Sequence, residues 1–202
     1  MAKEVVYLKK YSPVNMKGTR IKFESNTEHV GIVRSVNGNL PNILQRISSH
    51  KAALGAVLAN GLAKHHRANQ AARLKVDQIY GTPVLLSGLG SLLLKKSEQA
   101  MISNHHCKTL AKLIGLLPST PHPVIYFLAG SLPGEALIHL RQLSLLGMVS
   151  RLKGSYIHSH AVNVFNQKVR KWSWFHQVCD ICLMYQLPHS SMHPILRKHS
   201  RY

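Results

Sequence analysis

Residues 19–58 read TRIKFESNTEHVGIVRSVNGNLPNILQRISSHKAALGAVL, and they pass from two short extended runs into a long helix. Ile21 and Phe23 alternate with Arg20, Lys22 and Glu24, the two-residue period of a half-buried strand. Ser25-Asn26 supplies turn chemistry, and Val30, Ile32 and Val33 form a second β-branched run around Gly31. A hairpin is expected, with Gly31 where a side chain would obstruct an approach to the backbone. Asn37-Gly38 then turns the chain into Asn39-Leu40-Pro41, an N-cap candidate followed by proline in the first helical turn. Leu40, Ile43, Leu44, Ile47, Leu54, Val57 and Leu58 are the expected buried stripe of that helix, while Arg46, His50 and Lys51 fall largely off it.

Outward from this stretch the pattern stays helical. Upstream, Val5 to Leu8 make one short apolar run between lysines. Downstream, Asn69 caps a helix from about Ala71 toward Tyr80, and Pro83 either kinks that helix or separates it from the apolar run Val84 to Leu94. Ser97-Glu98 opens a helix carrying Met101, Ile102, Leu110, Leu113, Ile114 and Leu117, which Pro118 to Pro121 ends. Thr120 is the expected cap of a short helix through Val124 to Ala129. Glu135 stands in the first turn of the next helix, with Leu137, Leu140, Leu143 and Met148 at helical spacing. A helix around His158 to Gln167 and a last one from Trp174 to about Tyr185, capped by Ser173, complete the series. The predicted fold class is mainly α with a small N-terminal β element (α+β), divided into a β element (1–36), a helical region (37–187) and a basic, His-rich tail (188–202).

Charge narrows the function. The chain has 202 residues, with 26 Lys+Arg against 7 Asp+Glu and a formal net charge of +19. Net charge speaks about partners, and a folded chain this basic is expected to meet a polyanion, nucleic acid first. No apolar run approaches the roughly 18 residues of a membrane span. The N-terminus, MAKEVVYLKK, mixes charge into its apolar run, unlike a signal peptide. Three cysteines make no disulfide framework, so a nuclear or cytoplasmic, non-secreted setting is expected. From His29 to Lys75 there is no acid, against Arg34, Arg46, Lys51, Lys64, Arg67, Arg73 and Lys75. This segment is the expected phosphate-contacting face. No two of the seven acids are adjacent or close enough to form a local cluster, and a two-metal polymerase site needs paired hard oxygen ligands.

Thr27-Glu28-His29-Val30-Gly31-Ile32-Val33-Arg34-Ser35, followed by Gly38-Asn39-Leu40-Pro41, resembles reverse transcriptases of non-LTR (LINE-type, jockey-like) retrotransposons. The matching place lies just after the catalytic palm, where the primer-grip hairpin leads into the thumb. Val30-Gly31 stands where those enzymes carry Leu-Gly, and His29 where an aromatic is common. The resemblance continues through Ile79 to Gly88 and Val124 to Pro133, and ends at Ser173-Trp174-Phe175 and Leu187-Pro188-His189. It implies that Val5 to Leu8 are the last palm strand and that a helical, thumb-like domain follows a primer-grip-like hairpin. It also implies a nucleic-acid-binding set of His29, Val30, Gly31, Arg34, Arg46, Lys51, Lys64 and Arg67. The partner would be RNA or an RNA–DNA or DNA duplex, with no membrane and no specific protein partner inferred. The Tyr-x-Asp-Asp turn of the family is absent, so the chain corresponds to a fragment of an RNA-directed DNA polymerase without its active site. The parent enzyme would need Mg²⁺; no cofactor is expected for this chain.

Other residues invite a different reading. Cys179-x-x-Cys182 with His189 and His193 has zinc-ligand types, but Cys182 falls in a helical stripe with Val178, Ile181 and Tyr185, where a small buried hydrophobe is ordinary. Structural cysteines are expected. His65-His66 and His105-His106-Cys107 cluster in sequence, yet neighbours on a helix point different ways. Trp172, Trp174 and Phe175 are read as an aromatic anchor for the last helix. The alternatives are an independent basic DNA- or RNA-binding protein and a zinc-binding interaction protein.

Overall fold

In a computed structural model the described residues are 15–16, 19–20, 26–29, 32–36, 38–59, 69–117, 119–166 and 173–187. The apolar run at Val5 to Leu8, the Ile21/Phe23 alternation and the tail from Pro188 lie outside them. The chain is mainly helical with a small antiparallel hairpin near its start. It divides into two compact units, residues 1–42 and 43–202.

In the first unit, β1 (Asn15–Met16) pairs with β2 (Thr19–Arg20), and β3 (Asn26–His29) pairs antiparallel with β4 (Ile32–Ser35). The register sets Asn26 against Ser35 and His29 against Ile32. Asn26, expected in a turn, therefore opens the first strand of the hairpin, and the connection falls between His29 and Ile32. The reason is local: Asn26, Thr27 and Glu28 are polar but exposed, so an edge strand costs them nothing in desolvation. Gly38 turns the chain at φ +98°, its N–H donating to Ser35 O. The side-chain oxygen of the buried Asn42 accepts from Val33 N–H at 3.4 Å, tying β4 to the first turn of the following helix.

That helix, α1 (Leu40–Val57), buries Ile43, Arg46, His50 and Leu54, spaced three and then four apart, and exposes Leu40 and Leu44. Ile43, Ile47 and Leu54 meet the sequence expectation. Arg46 and His50 do not, and neither do the two exposed leucines. The helix carries hydrocarbon on more than one face, and a polar partner described below decides which face turns inward.

The second unit continues with α2 (Gln70–Val76), a wide π turn (Asp77–Gly81) and α3 (Thr82–Leu86). The backbone stays right-handed helical through Val76, Gly81 and Thr82, so Pro83 deforms one helix rather than separating two. A proline has no N–H and its ring crowds the carbonyl four residues back; the wide turn, closed by Thr82 N–H on Asp77 O, makes the room. A short 3₁₀ turn (Leu89–Ser91) leads to α4 (Lys96–Ile114), α5 (His122–Ala129), α6 (Gly134–Arg151), α7 (Tyr156–Asn166) and α8 (Trp174–Met184). Glu98 accepts from Lys95 N–H at 2.8 Å at the start of α4. Gly115 and Gly130, both left-handed, end α4 and α5, and the next N–H reaches back to Ala111 O and Tyr126 O. Pro121, not Thr120, stands at the cap of α5, without a side-chain bond.

Three apolar clusters hold these helices. Ile43, Leu85, Leu86, Leu89, Leu94, Ile102 and Ile138 join α1, α3, the 3₁₀ turn, α4 and α6. Cys107, Leu110, Ala111, Ile114, Ile125 and Ala129 join α4 to α5. Leu146, Val178 and Cys182 join α6 to α8, flanked by Trp174 and Phe175, which are the expected aromatic anchors; Trp172 lies outside the described residues. On α6 the buried set is Ile138, His139, Gln142 and Leu146, whereas Leu140 and Met148, expected inside, are exposed. Met101 and Leu117 are likewise exposed.

The last helix is latched by polar contacts across more than eighty residues. Gln177 Nε2 donates to Leu94 O at 2.7 Å, and its Oε1 accepts from Leu94 N–H at 3.4 Å and from Gln142 Nε2 at 3.2 Å. Trp174 Nε1 donates to Gly90 O at 2.7 Å. Gly90 has no side chain because the Arg141 backbone would stand 3.2 Å from a Cβ there. Replacing Gln177 by Leu leaves the N–H and C=O of Leu94 without these partners, while Gln142 Nε2 keeps Leu92 O, and we expect a loss of about 2 kcal/mol. Asp180→Asn, on the exposed face of the same helix, should stay within about 0.5 kcal/mol of the parent. Urea unfolding midpoints of the two variants check this.

Candidate functional site

The most constrained polar site among the described residues forms where α1, the π turn and α4 meet. The π turn brings Asp77 inside, fully buried. Its Oδ1 lies 3.1 Å from Nε2 of the fully buried His50, and its Oδ2 accepts from Thr82 Oγ1 at 3.1 Å. His50 Nδ1 lies 2.9 Å from His105 Nε2, so a continuous chain runs Thr82–Asp77–His50–His105. The two imidazoles of that chain meet edge to face. His106, on the adjoining face of α4, points its Nε2 toward Asp77 Oδ2 at 3.9 Å and packs its ring beside Tyr126. Neither ring nitrogen of this buried histidine has a hydrogen-bond partner. Gly81 completes the site by absence: a Cβ there would collide with Asp77 Oδ1 and stand 3.0 Å from both His50 Nε2 and Leu54 Cδ2.

A buried carboxylate is tolerated only where hydrogen bonds and opposite charge replace its water. Burial first, then the neighbouring His50, Lys51 and His106, lowers the His105 pKa from 6.5 to about 4, against the pull of Asp77. Burial also lowers that of His106, again against Asp77. The arrangement can hold and share a proton while fixing three helical segments. The Thr82 hydroxyl is spent on Asp77 and that of Tyr126 donates to Ser103 O, and among the described residues no group of three or more His, Cys, Asp or Glu could hold a metal ion.

The sequence-derived sites lie elsewhere. Arg34 is exposed on β4 and Lys51 is exposed on α1. Arg46, expected on the outer face, is only 9% exposed, with its Nε unpartnered, which leaves little of it for a phosphate to reach. The backbone of His29 ends β3; Val30, Gly31, Lys64 and Arg67 lie outside the described residues, as do His65, His66, His189 and His193. Cys182 is buried against Leu146 and Val178, the packing role expected of it, while Tyr185, expected in the same stripe, turns outward and its hydroxyl meets His139 Nδ1 at 3.1 Å. Burial, then Cys182 and Asp180, pushes the Cys179 thiol up to about 12, and burial raises that of Cys182.

Sequence reasoning did not select His50 or Asp77. One signal was available: Asp77 is the only acid between Glu28 and Glu98, in a strongly basic chain. His105 and His106 do point different ways, as helical neighbours must, yet both reach the same cluster. Among the described residues, no single helix is long and apolar enough to cross a membrane. Comparison with family models, with curated proteins and with solved structures finds no match.

The cluster makes stability depend on pH with a defined sign. His105 binds a proton near 6.5 when unfolded and near 4 when folded, so between these values the unfolded chain holds a proton that the folded chain excludes. Stability should be full above the upper value and fall as the pH is lowered through the window. Urea midpoints measured across it should decline less in His105→Gln than in the parent. Gly81→Ala should destabilise at every pH, by about 2 kcal/mol or more, because the collision is with the buried carboxylate rather than with a flexible tip. Thermal unfolding of that variant at neutral pH checks it.

Proposed function

We propose that this chain is the post-palm, primer-grip and thumb-side part of a non-LTR retrotransposon reverse transcriptase, and that it binds template–primer nucleic acid through phosphate contacts. The observation that carries this reading is the run from the β3–β4 hairpin, through the Gly38 turn, directly into the 18-residue α1, with no acid from His29 to Lys75. That order of elements is the one the resemblance implies for a primer grip entering a thumb. The charge of +19 supports a polyanionic partner. Cations that follow a phosphate backbone do so without reading bases, and no paired Asn, Gln or Arg here suggests base readout.

The chain on this reading does not polymerise. Two-metal catalysis needs carboxylates that converge on one point. Asp77 is enclosed by imidazoles, Glu98 serves the start of α4, and Glu135 faces His139 at 4.0 Å. With Arg46 turned inward, the exposed cations of the acid-free segment among the described residues include Arg34, Lys51 and Lys75.

Binding to RNA–DNA and DNA duplexes should weaken as salt rises, and each phosphate contact removed should reduce the slope of log K against log salt by about 0.9. Arg34→Glu with Lys51→Glu should weaken all duplex sequences alike and flatten the slope. Arg151→Glu, at the far end of α6, should do less. Salt titrations by fluorescence anisotropy test this; a preference for one sequence, or binding indifferent to salt, would overturn the reading. A primed template supplied with Mg²⁺ should not be extended by the purified chain.

A further inference from the structure

The imidazole chain that begins at buried Asp77 ends at the surface. His105, its last member, is half-buried on α4, with Nε2 held 2.9 Å from His50 Nδ1. Lys51 follows His50 in α1 and is exposed. Along α4, Lys108 and Lys112 stand three and seven residues past His105, so all three share one edge of the helix within about 60°. Both lysines are exposed, whereas His106, Cys107, Leu110 and Ala111 between them are buried. The edge runs about 10 Å from His105 to Lys112. The acid of α4, Glu98, lies about two turns away at the helix start, where it accepts from Lys95 N–H.

We propose that Lys51, His105, Lys108 and Lys112 form one phosphate-binding stripe, in which the His105 imidazole takes up a proton as a polynucleotide strand arrives. The stripe extends the nucleic-acid reading and rests on it. Cations in a row along one helix edge suit a strand whose charges repeat along a line. His105 adds a member whose charge depends on the ligand. In the free chain its proton is disfavoured first by burial, then by His50 and Lys51 of α1 and His106 of α4, against the attraction of Asp77 in the π turn. A phosphate at Lys51 shifts that balance: it offsets the lysine's repulsion and presents an anion to the open side of the ring. The proton then joins a hydrogen-bonded chain that already ends in a buried carboxylate, so the cation is held from both sides. Protonation and binding therefore favour each other. Affinity rises as the pH falls from neutral toward about 4, where the free chain carries the proton as well.

The experiment is fluorescence anisotropy of the full chain with an RNA–DNA duplex, at about pH 8 and about pH 5.5 and at fixed ionic strength. The chain has 14 histidines, so the readout is the difference between the parent and His105→Gln, which keeps a hydrogen-bonding group for His50 but cannot become charged. One linked proton should tighten the parent about 10-fold across that interval beyond any change in His105→Gln. Lys108→Glu with Lys112→Glu, both exposed, should flatten the slope of log K against log salt by about 1.8 at either pH, with thermal unfolding as in the parent. A pH effect equal in the parent and His105→Gln overturns the proton uptake, and a slope unmoved by the lysine pair overturns the stripe. Salt-dependent binding in either case leaves the nucleic-acid reading standing. Calorimetric titration of the parent in two buffers of different ionisation enthalpy reads the proton without touching the cluster. No net uptake at about pH 5.5 overturns the proposal even where His105→Gln does not fold. Absence of any salt-dependent binding overturns the stripe and the nucleic-acid reading together.

Discussion

The constraint on which the rest of the second unit depends is the burial of one carboxylate. Asp77 sits inside because the helix around it is widened to admit Pro83, and that widening swings the side chain inward with Thr82 as its nearest donor. Once inside, it demands a second donor, and His50 of α1 supplies it. His50 in turn engages His105 of α4. Three helical segments are therefore oriented by a polar chain rather than by hydrocarbon alone. Such a chain contributes little net stability over an apolar replacement of the same shape, but breaking it leaves a stranded charge. Its physical effect is to set which faces of α1 and α4 turn inward.

Much of the fold was legible in sequence because its punctuation is chemical and local. Ser173 capped α8 and Gly38 turned the chain into α1, whereas α4 stopped at the left-handed Gly115, three residues short of the expected end at Pro118, and so left Leu117 outside it. The faces of the helices were not legible. Apolar periodicity weighs side chains one at a time, so it placed Leu44 and Leu140 inside and His50 outside. The residues that reverse this lie 27 to 83 positions away: Asp77 for His50, Leu92 for Gln142, Leu94 for Gln177. A buried polar group can be recognised only through the partner that satisfies it. The hairpin pairing differed for a related reason: Asn26 and Glu28 have little strand preference of their own, and only pairing with Ser35 and Val33 makes them a strand.

The candidate site was hidden more deeply than the fold. Residues that attract attention in a sequence are clustered ligand types, and the cysteine and histidine pairs of this chain are such clusters. The site that forms instead draws one histidine from α1, one acid from a helix interior and two adjacent histidines from α4. Only the isolation of Asp77 among cations hinted at it.

The exposed leucines and the buried polar residues are two sides of one rotation. Successive residues of a helix are separated by about 100°, so positions two apart face nearly opposite ways. With Gln142 turned inward to reach Leu92 and Gln177, Leu140 must turn out, and it then lines a cleft beside Leu132. With Arg46 and Asn42 inward, Leu44 is carried outward in the same manner. On α1 that outward turn is followed by cationic Lys51, whereas on α6 it falls in the stretch that has no lysine or arginine until Arg141. The same rule of rotation thus leaves an exposed leucine on α1 and, on α6, one that lines the cleft beside Leu132. The polar interior decides the position of both.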